Sequence, residues 1–190
     1  MSIVPIITIP HKTLRQKAAV VEVWSPEMQE LMDTLMDTLR AARNPRGVGL
    51  AAPQINRDAR MFATLVNNQP RTFINPRITQ SSGKLSLGKD PEDPDLEGCL
   101  SIPKLYAPVP RHTWVKLEYE HPNKGVLETR NEIFDDFVAR VIQHEYDHLE
   151  GILFLDHALE YDLPVLEGGD KLKPVPRAMI ETLVHQSWNS

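Results

Sequence analysis

The sequence predicts an α+β fold in a single domain. Antiparallel β-sheets would pack around a central helix carrying an H-E-x-x-H pattern, with a further helix nearer the N-terminus. Three observations lead there. A length of 190 residues suits one domain at ~100–200 residues each. Two helical patterns lie far apart, at 25–44 and 136–150. Between them strand-like runs follow one another without a helix, which favours antiparallel pairing over an alternating βαβ chain.

Residues 25–44 carry the clearest helical signal. Ser25 is a good N-cap, Pro26 suits the first helical position and Glu27 the positive end of the helix dipole. Met28, Leu31, Met32, Leu35, Met36 and Leu39 recur at alternating steps of three and four, the spacing of one buried stripe. Asn44-Pro45 stops the helix. Strands are expected over 60–79 and 113–133, led by Arg60–Val66 and Thr113–Tyr119, with turn signals at Asn67–Pro70 and His121–Gly125. Prolines 91, 94, 103, 108, 110 and 122 exclude central sheet throughout the middle of the chain. Gly83–Asp95, polar and charged, reads as an exposed loop.

Residues 136–150 form the second helix, with Phe137, Val138, Val141 and Ile142 as its apolar face and Gly151 as the stop. Ile152–Leu155 is a short buried run, and 160–175 is loop-like. Met179, Ile180, Leu183 and Val184 suggest a last short helix.

Composition excludes several functional classes. Hydrophobic residues make up 41% and the net charge is only −5, so the chain is not of the disordered type. The acidic balance leaves no bulk basic surface for nucleic acid. No run approaches the ~18–20 apolar residues of a membrane span. Cys99 is the only cysteine, which rules out an internal disulfide and fits a reducing compartment. The apolar start, Met1–Pro10, lacks a basic lead and is broken by Pro5 and Pro10. No signal or transit peptide is expected, and the expected location is the cytoplasm.

The chemistry lies in His144-Glu145-Tyr146-Asp147-His148. Residues i and i+4 of a helix share a face, so two imidazoles can grip one metal ion while Glu145 reaches a water beside it. The third ligand is open. A metzincin-type extension would need a histidine where Phe154 stands, a thermolysin-type downstream glutamate finds only Glu160 and Glu167 in Pro/Gly-rich loop, and His157 has no motif around it. Cys99, within Glu97-Gly98-Cys99-Leu100-Ser101, is the better candidate, because thiolate is a strong ligand for zinc and ferrous iron. A third motif, Gly47-Val48-Gly49-Leu50-Ala51-Ala52-Pro53-Gln54, offers close backbone approach or positive φ at its glycines and a neutral amide at Gln54.

Together, and in this order, the three motifs resemble the G-x-G-x-A-A-x-Q, E-G-C-x-S and H-E-x-D-H signatures of the peptide deformylase family. The likeness runs over roughly residues 5–160, and Leu100 resembles the bacterial form. It implies a catalytic domain over 1–160, with 161–190 as an extension packed on or trailing from it. It implies one metal ion on Cys99, His144 and His148. Fe(II) is the expected ion, and zinc, nickel or cobalt can occupy the same site.

By the same resemblance, Glu145 takes a proton from the attacking water and passes it to the departing amine. The Gln54 side chain and the Leu100 backbone N–H would steady the oxyanion. The substrate would be the N-formyl-methionyl end of a new polypeptide, giving formate and a free N-terminal methionine. Val48, Phe137 and Val141 are candidate walls for the methionine. The chain at Gly49 and at Leu96–Gly98 would pair with the substrate backbone. Glu97 and Arg111 match positions that pair in the family, and Asp147 would orient a ligand imidazole or cap backbone. Proximity to the ribosome is implied, with no nucleic-acid or membrane binding. The rival readings are an H-E-x-x-H zinc endopeptidase and a non-catalytic peptide-binding relative. The sequence departs from the family in its longer, more acidic 83–95 loop and in its tail.

Overall fold

Ser25 caps the first helix, its side chain accepting the Met28 N–H at 3.3 Å. The computed structural model describes residues 2–90, 92–169 and 171–189; Pro91, inside the expected loop, lies outside them. Helix α1 (Pro26–Ala41) stops before Asn44-Pro45 is reached. The Ala42 N–H turns back to the Thr38 and Leu39 carbonyls, and a tight turn bridges Arg43 and Arg46. The stripe packs as expected, with Leu31, Leu35, Met36 and Leu39 buried against Leu50, Ile55, Met61 and Ile74.

The strands are β1 (Gly49–Ala51), β2 (Met61–Val66), β3 (Gln69–Ser81), β4 (Leu85–Ser86), β5 (Leu96–Cys99), β6 (Ile102–Pro108), β7 (Arg111–His112), β8 (Trp114–Asn123), β9 (Val126–Asp135), β10 (Leu166–Glu167) and β11 (Lys173–Pro174). One antiparallel sheet has the order β1-β2-β3-β8-β9. Its inner face carries Phe62, Phe73, Val115, Leu117 and Phe134, and helix α2 (Asp136–Leu149) covers it with Ala139, Ile142 and Leu149. A second sheet has the order β11-β10-β6-β5. Helices α3 (Phe154–Glu160) and α4 (Arg177–Trp188) add Phe154, Leu155, Ala158 and Ile180 to the core around Ile102 and Ala107.

One expectation needs correcting. Gly83–Asp95 is mostly exposed, but it is not free loop: β4 pairs with β7, and Asp90 bridges Asp93. The middle segment is not central sheet throughout, since Pro94 and Pro110 lie outside the strands, yet other prolines do enter the sheet interior. Pro103 and Pro108 both lie in β6, which is flanked on either side. They are tolerated because β10 pairs only with Leu105 and Tyr106, and because a bulge in β6 makes Cys99 oppose Ile102 while Gly98 opposes Tyr106. Pro76 likewise sits in a bulge of β3, between Ile74 and Arg77.

The buried run after Gly151 opens α3, which ends at Glu160, so that residue is helical and not in loop, and the loop-like tail adds a small hairpin, β10–β11, to the second sheet. Arg15 draws the tail in. Its Nε donates to Ser187 Oγ at 2.8 Å, its guanidinium pairs with Asp156, and Trp188 covers it at 4.6 Å. Gly151 closes α2 at φ 74°, where a Cβ would stand 2.5 Å from the Arg15 carbonyl oxygen. Among the described residues no helix is long and apolar enough to cross a membrane.

Gly151→Ala therefore meets both an unfavourable φ and a backbone clash. It is expected to cost more than about 1 kcal/mol in denaturant unfolding, with an unchanged m-value.

Candidate active site

Helix α2 places His144 and His148 one turn apart on the same face, their ring centroids 5.1 Å apart and nearly perpendicular. Cys99 comes to them from the other sheet. It ends β5, immediately before the turn at Leu100-Ser101, and its Sγ lies 3.2 Å from His148 Nε2. The sulfur and one nitrogen from each ring lie within 4.8 Å of one another. Sulfur and two imidazoles suit zinc, ferrous iron or nickel. Burial pushes the Cys99 thiol up, but His148 and His144 outweigh it and bring the pKa down to about 5, so the ligand is a thiolate at neutral pH. Burial lowers the His144 pKa, yet Cys99 and Glu97 hold it well above its ordinary value. The Cys99 thiolate and the Glu97 carboxylate give the pocket negative charge beside two imidazoles, which a metal cation would offset. The residues fit a metal site.

Glu145 is buried beside these ligands. Desolvation raises its pKa to about 7 against the pull of both histidines, and its Oε2 has no hydrogen-bond partner among the described residues. Gly49 explains why the carboxylate fits: a Cβ there would stand 2.2 Å from Glu145 Oε1. Close approach, not positive φ, is the reason for the glycines at 47 and 49, since neither has a positive φ.

Gln54 sits in a 3-10 turn, Ala52–Ile55. The Ala51 N–H can only donate, so it holds Gln54 Oε1 at 2.8 Å and fixes the orientation of the amide. The NH₂ group is thereby aimed inward, 3.5 Å from Cys99 Sγ and 3.2 Å from Ser101 Oγ.

Behind the ligands, Glu97 accepts from Arg111 Nε and Nη2, both at 2.9 Å, and lies 3.2 Å from His144 Nδ1. Burial raises the Glu97 carboxyl, but Arg111 and His144 outweigh it and keep the group well below the usual carboxylate range. Asp147 does not serve the metal-site imidazoles. It holds Arg111 Nη1 at 2.6 Å and His157 Nε2 at 2.8 Å, while His148 Nδ1 has no partner among the described residues. Two supporting residues escaped the sequence reading. Arg140 donates to Glu97 Oε1 at 2.9 Å, and Ser101 meets Gln54. Arg140 stands one helical turn before His144, so its position on the ligand face was available as a signal.

The site opens into a cavity of about 310 Å³. Val48, Gly49, Gln54, Glu97, Gly98, Cys99, Leu100, Phe137, Val141, His144 and Glu145 all line it, whereas His148, Arg111 and Asp147 lie outside its wall. Phe137 stands at the surface, 51% exposed. The cavity runs between β1 and β5, an edge strand of each sheet.

The polypeptide deformylase profile matches residues 3–162. The chain belongs to the polypeptide deformylase family. A peptide deformylase 2 of Nostoc sp. is 38% identical over 165 residues, covering 81% of this chain and 85% of the relative. Among solved structures, a Met-Ala-Ser-bound class I type b deformylase of Acinetobacter baumannii has a TM-score of 0.70 at 32% identity, covering 83% of this chain and 99% of that one. A Synechococcus elongatus deformylase in complex with actinonin has a TM-score of 0.72 at 27% identity, covering 97% and 85%. Deformylases are metal-dependent hydrolases, which accords with the Cys99, His144 and His148 cluster. The family assignment sets aside the endopeptidase and the non-catalytic readings.

Glu97→Gln removes the charge that faces His144 and both guanidiniums. It is expected to weaken metal binding by ~10–100-fold, measured by competition with a chromophoric chelator.

Proposed function

We propose that the cavity receives the N-formyl-methionyl end of a newly made polypeptide and that the chain hydrolyses its formyl amide, releasing formate and a free N-terminal methionine. The observation that carries this reading is the buried Glu145 carboxylate, its Oε2 without a partner among the described residues, beside the thiolate–imidazole cluster in a cavity bounded by two strand edges. Both β1 and β5 are sheet edges bordering the cavity, so a substrate strand can pair between Gly49 and Leu96–Gly98. Val48, Phe137 and Val141 then surround the methionine side chain. The Acinetobacter relative's ligand, Met-Ala-Ser, is the kind of peptide such a reaction would release.

Cys99, His144 and His148 would hold a divalent ion, which when bound would supply Lewis-acid polarisation of the formyl carbonyl and acidify the attacking water. Glu145 accepts the proton from that water and returns it to the departing amine. A carboxyl with a pKa raised to about 7 can do both near neutral pH. The Gln54 amide and the Leu100 N–H donate to the oxygen on which negative charge grows. Glu97, held by Arg111 and Arg140, keeps the His144 ring turned toward the site. Ferrous iron, one ion per chain, is the proposed occupant, and the same donors suit zinc, nickel and cobalt. The proposed place of action is the cytoplasm, near the ribosome that supplies the substrate.

Formate release from formyl-Met-Ala-Ser, lost on chelation and absent with acetyl-Met-Ala-Ser, is the test. Glu145→Ala is expected to retain its metal and to lose ~10²–10⁴ in kcat; a near-normal rate with metal bound would refute the assigned role. Gln54→Ala is expected to lower kcat by ~10²–10³, with a smaller change in KM, in the same steady-state assay.

A further inference from the structure

Past Ile74 and Glu120 the main sheet forks. That pair is the last that β3 makes with β8 on this side. Beyond it β3 stays with β2 as far as Gln69 opposite Val66, and β8 stays with β9 as far as Asn123 opposite Val126. A cavity of about 280 Å³ lies where the two hairpins part. It shares no lining residue with the cavity at the metal ligands.

The chain has a net charge of −5, yet no described carboxylate lines this cavity, whereas Arg71, His121 and Arg130 do. Arg71 is held in place. Its Nη2 donates to Tyr119 Oη at 3.2 Å and to Glu132, and its guanidinium lies 4.8 Å from the Phe134 ring centroid. Its Nε and Nη1 carry no hydrogen bond among the described residues. Glu132 offsets the Arg71 charge and also accepts from the Tyr119 hydroxyl. Arg130, opposite Tyr119 in register, has neither a hydrogen bond nor an ion pair on its guanidinium among the described residues. The His121 ring likewise has no hydrogen-bond partner there. Burial and then Arg130 hold its pKa below the ordinary value, with Arg71 adding to them and Glu128, opposite in register, opposing.

Three basic groups from three strands thus surround one void with donors left unused. They match an anion that has several oxygens and more than one charge. A carboxylate offers one charge and two oxygens; a phosphomonoester carries close to two charges and three terminal oxygens. Arginine donors to such oxygens make charge-assisted bonds, roughly twice as strong as neutral ones. Met36 and Pro70 line the same space and give an organic portion an apolar wall. The volume sits just under the ~300–1,000 Å³ typical of small-molecule sites.

We infer that the fork between the two hairpins is a second binding site, for the phosphate group of a small phosphomonoester, with Arg71, His121 and Arg130 as its donors. The site does not depend on the deformylase reading.

The test follows the imidazole proton resonances of the zinc-loaded full chain during titration with inorganic phosphate, glucose 6-phosphate and adenosine 5′-monophosphate. Sodium chloride at matched ionic strength is the control, and the His121 signal is assigned by its loss in His121→Gln. A saturable shift of that signal is expected with the phosphates and not with chloride, together with a rise in the midpoint of its pH titration. Arg130 is exposed and unpaired among the described residues, so Arg130→Gln should leave formate release unchanged and weaken phosphate binding by roughly three- to tenfold. Arg71→Gln would also strand Glu132, so Arg130 carries the comparison. No saturable shift with any of the three phosphates, or one that Arg130→Gln leaves unaltered, would overturn the site. Esters that bind no better than inorganic phosphate would overturn the ester and leave free phosphate as the ligand.

Discussion

A carboxylate that is almost wholly buried must be matched by opposite charge, and Glu97 is that group here. It is buried on β5 and shared by Arg111 from β7 and by Arg140 and His144 from α2. Removing one partner of such a buried cluster typically costs about 3–5 kcal/mol, because it strands the remaining charge. The cluster therefore couples the β5 edge to the face of α2. Cys99 is two residues beyond Glu97 on that strand, and His144 is one of the partners, so the same ion pairs that compensate the buried charge also set the distance between sulfur and imidazole. Asp147 and His157 extend the arrangement by fixing the far side of Arg111.

What could be read from the chain was what depends on local periodicity or on a cap. The Ser25 cap, the α1 stripe and the shared face of His144 and His148 all follow from helix geometry within a few residues. Cys99 became legible only because the helix motif lacked a third ligand. The reading stopped short where the outcome was set across the chain. Prolines 103 and 108 look like strand breakers until β10 is seen to pair with only the middle of β6. Asp147 is next to His148 in sequence, yet the helix turns its side chain toward Arg111 and His157. Arg140 was overlooked because its partner, Glu97, is far away in sequence.

Exposed strand edges are usually a hazard, since they invite pairing with other chains. This fold keeps two of them facing one cavity, β1 and β5, and both are short. A short edge can pair with a peptide end while offering little to a longer strand. The glycines along these edges serve the same purpose, because Gly49 leaves room for Glu145 and Gly98 for Tyr106.

The bond from Arg15 to Ser187 joins positions 172 apart in sequence. Closing so long a loop carries a large entropic cost and forms late in any folding order that starts from local contacts. It also couples the last helix to the N-terminal segment, because departure of that helix leaves the buried Arg15 without Ser187 and without the contact to Trp188. Loss of order at the C-terminal end would thus be felt at the Gly151 turn and Asp156, and through them at the end of the helix that bears both histidines. The chain is clasped between Arg15 and its last helix, so order in the tail and order at the end of α2 are linked through one side chain.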